Sequence, residues 1–134
     1  MIMKVINFTR EVIMMEEKKE LAADMNRYYD QFMDLLKEAG KTAPGYAKAL
    51  MEFVNQAEKP GALSTKVKEL MSIALGITAH CPYCIAFHTK NAIKEGATRQ
   101  EILESALVAG LMGGGPAVAY MRYVIDACDQ FGAK

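Results

Sequence analysis

One short run carries residues able to do chemistry: Cys81-Pro82-Tyr83-Cys84, with His88 four residues beyond the second cysteine. A CxxC at a helix start puts both sulfurs within one turn, close enough to bond with little backbone movement. The helix N-terminus offers partial positive charge and free N–H groups, which stabilise a thiolate. His88 shares a helix face with Cys84, so its imidazole can take the thiol proton and leave a nucleophile. Glu69 is a third candidate, twelve residues before Cys81 and separated from it by the apolar stretch Leu70 to Ala79. If the two helices pack together, its carboxylate can orient His88 or relay a proton through water. The helix-start position favours Cys81 as the more acidic thiol, whereas the His88 neighbour favours Cys84.

Two residues beside the pair are auxiliary candidates. His80 lies eleven residues after Glu69, close to three helical turns, which returns it to the same face. Its simpler reading is a helix-end residue bonding a carbonyl or solvent. Tyr83 reads first as a packing residue with a wetted hydroxyl. Cys81, Cys84 and His88 could also supply three zinc ligands, but a closed structural site needs a fourth, from His80, Cys128 or a carboxylate. Cys128 falls on the apolar stripe of the last helix and reads as core. Gly113-Gly114-Gly115 lacks the strand and the Lys-Ser/Thr of a phosphate-binding loop and reads as a turn.

The elements that position these residues have the helical period. From Glu16 to Ala39 the apolar residues Leu21, Met25, Tyr28, Phe32, Leu35 and Leu36 recur at three- and four-residue steps, which predicts one long helix stopped by Gly40. A second helix starts near Pro44, with Tyr46, Leu50, Phe53, Val54 and Ala57 inward, and ends at Pro60-Gly61. Ser64 or Thr65 caps a third helix, and Cys81 sits near the N-cap of a fourth that ends at Glu95-Gly96. Thr98 and Glu101 form a capping box for a fifth, the glycine run makes a turn, and Pro116 opens a sixth. The one strand candidate, Lys4 to Phe8, is short. Ten methionines fall at inner positions such as Met25, Met71 and Met121, as core gap-fillers do. An all-α single domain spanning 1–134 follows, and surplus apolar surface on the first helix predicts a homo-oligomer.

Composition narrows the function. Sixteen basic and sixteen acidic residues give no net charge, against a dedicated nucleic-acid binder. Three cysteines are too few, and odd in number, for a secreted disulfide framework. Met1 to Met15 lacks the apolar segment of a signal peptide, and no stretch approaches the ~20 apolar residues of a membrane span. The expectation is a cytoplasmic protein with no membrane and no nucleic acid among its partners.

The run Glu69…His80-Cys81-Pro82-Tyr83-Cys84…His88 resembles the active-site pattern of the AhpD-like alkylhydroperoxidases of the carboxymuconolactone decarboxylase superfamily. The likeness is strongest from about 65 to 127. It implies an all-α fold assembling as trimers or hexamers, and a thiol peroxidase or disulfide reductase without metal, haem or other cofactor. It implies Glu69 as acid, Cys81 and Cys84 as redox thiols, and His88 as the histidine. Where AhpD has a second histidine between the cysteines, this chain has Tyr83. In that reading Cys84 attacks a peroxide oxygen with help from His88, Cys81 closes the disulfide, and an external dithiol, lipoyl-type or thioredoxin-like, resets the pair. The competing classes are a non-redox lyase on the same scaffold and a zinc-stabilised structural oligomer.

Overall fold

The computed structural model describes residues 2–134, and among them every regular element is a helix: α1 (Ile2–Leu21), α2 (Met25–Thr42), α3 (Pro44–Glu58), α4 (Thr65–Thr78), α5 (Pro82–Lys94) and α6 (Arg99–Phe131). Local capping explains most of these starts. Ser64 accepts a hydrogen bond from the Val67 N–H, and Thr98 and Glu101 satisfy each other's backbone donors in a complete capping box. Pro44 and Pro82 occupy first-turn positions, where a missing N–H costs nothing.

The expected Glu16–Ala39 helix is two helices. The chain breaks at Ala22-Ala23-Asp24, where Asp24 caps α2 through the Arg27 N–H. The backbone groups freed by the break are satisfied from α6, more than a hundred residues away. Buried Asp126 accepts from the Ala23 N–H at 3.0 Å, and Gln130 accepts from Met25 N–H and donates to the Ala23 carbonyl. Side chains so distant leave no trace in the local period. Gly40 does not stop α2, which runs on to Thr42, and Lys4 to Phe8 lies in α1 rather than in a strand.

The core lies where α4, α5 and α6 pack on one another, with α2 against α5 and α6. Ile73, Ile77, Ile85, Ile102 and Val124 are fully buried there, as is Cys128, in agreement with its reading as core. Two elements depart from expectation. No residue of α3 is buried, Tyr46 and Phe53 of its supposed inner face are 67% and 72% exposed, and Met71 of α4 is half exposed. Among the described residues, no other helix comes into close backbone contact with α1.

The fifth and sixth expected helices follow one another without a loop as α6, bent at Gly114, the one residue inside it whose backbone is not helical (φ 68°, ψ −158°). The glycine run bends the helix without ending it, so the two expected helices are one element. Taken whole, it contains an 18-residue stretch of mean hydropathy 1.4, enough by length and composition to cross a bilayer. It also carries buried Asp126 and packs on α4 and α5.

Only glycine adopts the Gly114 conformation without strain of about 1–3 kcal/mol. Gly114→Ala is therefore expected to lower unfolding free energy by that order in urea titration. Gly115→Ala, with open space around a built Cβ and no positive φ, should change it by less than about 1 kcal/mol. Equal losses at both positions would contradict this account of the bend.

Candidate functional site

The CxxC forms its own helix cap. Cys81 precedes α5 in extended conformation, and its Sγ accepts a hydrogen bond from the Cys84 N–H at 3.1 Å. The two sulfurs are bonded to each other, with Cα atoms 5.3 Å apart. In this bonded state neither sulfur is a thiolate, the form in which the cysteines would join His88 in the competing zinc reading. The turn is held from behind by α4. A Cβ added to Gly76 would stand 3.3 Å from the Cys84 Cβ and 3.5 Å from the Ile85 backbone nitrogen, so glycine lets α4 and α5 approach closely there.

That approach brings Glu69 and His88 together. Glu69 is 2% exposed, and its Oε2 lies 2.7 Å from Nδ1 of His88. A buried carboxylate requires such a partner, because its charge is costly to desolvate alone. With Nδ1 engaged, Nε2 is the ring nitrogen left to accept a proton. Cys84 and His88 both line a cavity of about 490 Å³, whose apolar walls include Phe32, Leu36, Leu50 and Phe87.

The sequence pattern missed one member of the site. Glu58, the last residue of α3, also lines this cavity and places Oε1 3.3 Å from the same His88 Nδ1. Its acidity is pushed down, to a pKa of about 7, first by burial and then by the hydrogen bond and charge of Glu69; His88 and Lys68 oppose the shift. A sequence signal existed. An acid in a helix's last turn faces the negative end of the helix dipole, where cations are favoured. Glu58, Glu69 and His88 bring one ligand atom each within 4.8 Å of one another, the one such group among the described residues.

The auxiliary candidates lie elsewhere. α4 ends at Thr78, so the three-turn count from Glu69 does not carry through to His80. His80 has left the helix with φ 52°, and its exposed ring stacks on Tyr120 at 4.6 Å. Tyr83 is 40% exposed, packs edge-on to Tyr28 at 5.1 Å and donates from its hydroxyl to Gln31. Neither reaches the Glu69–His88 contact. Cys128 is free and buried, and burial pushes its thiol up to about 11.

Residues 44–127 match the carboxymuconolactone decarboxylase family. A solved carboxymuconolactone decarboxylase family protein from Legionella pneumophila is 34% identical and superposes with a TM-score of 0.77, over 80% of this chain and 96% of that one. A family protein from Thermotoga maritima shares the fold at 24% identity and a TM-score of 0.69, over 78% of this chain and 89% of that one. An uncharacterised protein of Cupriavidus necator is 32% identical over 94 residues, 70% of this chain and 83% of its own.

Folding raises the Glu58 value from the unfolded 4.5 to about 7, so between those pH values the folded chain binds more protons than the unfolded one. Stability is thereby lost as pH rises from about 4.5 to about 7, and the loss stays constant above. Glu58→Gln, which lacks the titration, should gain in urea midpoint relative to the native chain between pH 4.5 and pH 8. A midpoint difference that is the same at both pH values would contradict the assigned titration.

Proposed function

The chain belongs to the carboxymuconolactone decarboxylase family, and from that premise we propose that it is an AhpD-like thiol peroxidase and disulfide oxidoreductase. The observation that carries the reading is a bonded CxxC pair whose second sulfur lines a cavity with His88, while buried Glu69 engages Nδ1 of that imidazole. In the reduced enzyme His88 takes the Cys84 proton at Nε2. The thiolate attacks the terminal oxygen of a hydroperoxide, the O–O bond breaks, and the departing oxygen leaves protonated as alcohol or water. Cys84 is now a sulfenic acid. Cys81 attacks its sulfur, water departs, and the disulfide forms. An external dithiol, lipoyl-type or thioredoxin-like, then returns two electrons and two protons by exchange. Oxidation thus passes from peroxide to protein to dithiol, with no metal or organic cofactor in the cycle.

Glu69 acts by holding His88, and the CxxC core at about 65–127 lies within a single domain. His80 and Tyr83 have no assigned step. The working form is a homo-oligomer, trimer or hexamer, in the cytoplasm. Apolar side chains left exposed on α6, among them Leu107, Val108, Leu111 and Met112, support the oligomer.

Reduced protein given one equivalent of an organic hydroperoxide should lose two hydrogens, mapped by mass spectrometry to a Cys81–Cys84 linkage. Cys84→Ser should form no disulfide, and Cys81→Ser should stop at a sulfenic acid trapped by dimedone. Thiols that persist through the pulse, or oxidation confined to Cys128, would overturn the reading. Catalysis surviving the double Cys81→Ser, Cys84→Ser replacement would favour a lyase instead.

A further inference from the structure

The His88 imidazole is approached on one nitrogen by two carboxylates, at unequal distances. The nearer, Glu69 at 2.7 Å, takes the hydrogen bond; Glu58 at 3.3 Å is left beside it. Two carboxylates this close repel when both are ionised, and one of them then holds a proton readily. The charges facing Glu58 are few. α4 contributes Glu69 and Lys68, α5 contributes His88, and the cavity residues from α2, Phe32 and Leu36, are uncharged. Lys68 spends its ammonium on the carbonyls of Ala57 and Lys59, at 3.0 and 2.7 Å. Glu58 stands at the negative end of α3, which disfavours a second charge there. Its side chain is 18% exposed against 2% for Glu69, so it is the member of the pair able to exchange a proton with the cavity.

We propose that Glu58 and Glu69 act as one acid with room for a single proton, and that Glu58 takes up, by way of His88, the proton leaving Cys84. The inference rests on the thiol chemistry proposed above. The Cys84 S–H bond breaks as Nε2–H forms, and Nδ1–H breaks as a carboxyl O–H forms; no electrons are lost. When the peroxide bond later breaks, the stored proton goes to the departing oxygen. Glu69 alone, buried and committed to His88, holds the ring in place. Glu58 gives the relay an end point that can both fill and empty near neutrality, in accord with its raised pKa of about 7. Glu58 acts on Cys84 through His88 and is thus a positioning and proton-storing residue.

The test is the alkylation rate of Cys84 by iodoacetamide across pH, in reduced Cys81→Ser protein, where serine retains a cap and Cys128 is buried. With Glu58 already protonated near pH 5.5, protein with and without Glu58→Gln should react within about twofold of each other. Near pH 8 the protein retaining Glu58 should react about tenfold faster, the effect of one pKa unit on the thiol. Glu58→Ala, which removes the hydrogen bond as well, should reproduce the pH-dependent rise. A ratio that stays constant at every pH, whether at one or above it, would reduce Glu58 to a structural role and overturn the inference. Because alkylation consumes no peroxide, a rising ratio upholds the relay even if peroxide leaves the thiols untouched. A flat ratio removes the relay even if peroxide forms the disulfide.

Discussion

A carboxylate almost fully removed from water needs a partner, and the Glu69–His88 contact is how this fold meets that need. The cost of leaving either group unpaired in the interior is several kcal/mol in order of magnitude, enough to decide how two helices sit. Gly76 lets α4 and α5 close on each other, the closeness brings Glu69 to Nδ1, and the engaged Nδ1 fixes which ring nitrogen faces other work. Cys84 is tied into the same α5 turn by the hydrogen bond from its N–H to Cys81 Sγ. The bonded cysteines, His88 and Glu69 are therefore placed by one helix–helix packing rather than by loops.

Around that pairing the structure is asymmetric. Behind it, α6 closes the core with isoleucine, valine and small side chains. In front, the cavity wall is made by α2 and by α3, a helix with no buried residue of its own. That wall leaves an apolar mouth beside Cys84. The exposed apolar side chains of α6 and the unpacked α1 place much of the chain's hydrophobic surface outside this core.

The chemistry-bearing run was legible because it is local. A CxxC at a helix start, a histidine one turn on and a proline at the first turn are all fixed by contacts within a few residues, and the structure has them as the spacing implies. The capping box at Thr98 and the Ser64 cap are of the same kind. What could not be read depends on distant partners. The break before Asp24 is held by Asp126 and Gln130 across the fold, and nothing near Ala23 announces it. His80 does not return to the face of Glu69, because α4 ends at Thr78 and its period stops there. Glu58 was missed because its meaning comes from two other helices; by itself it looks like a solvated acid before Pro60-Gly61. The supposed inner face of α3 is apolar in pattern yet exposed in the single chain, since a period shows that a face wants burial without showing what buries it.

The central claim is that Glu69 governs the reactivity of Cys84 through His88, so that the two act as a unit. The most direct measurement is a double-mutant cycle on the second-order rate of hydroperoxide consumption by the reduced protein, using Glu69→Gln, His88→Gln and the pair together. Residues that act through one another give strongly non-additive losses. The account predicts that the double variant is no slower than the His88→Gln variant, to within about twofold. Losses that multiply, with the double variant slower by the product of the two single effects, would contradict it.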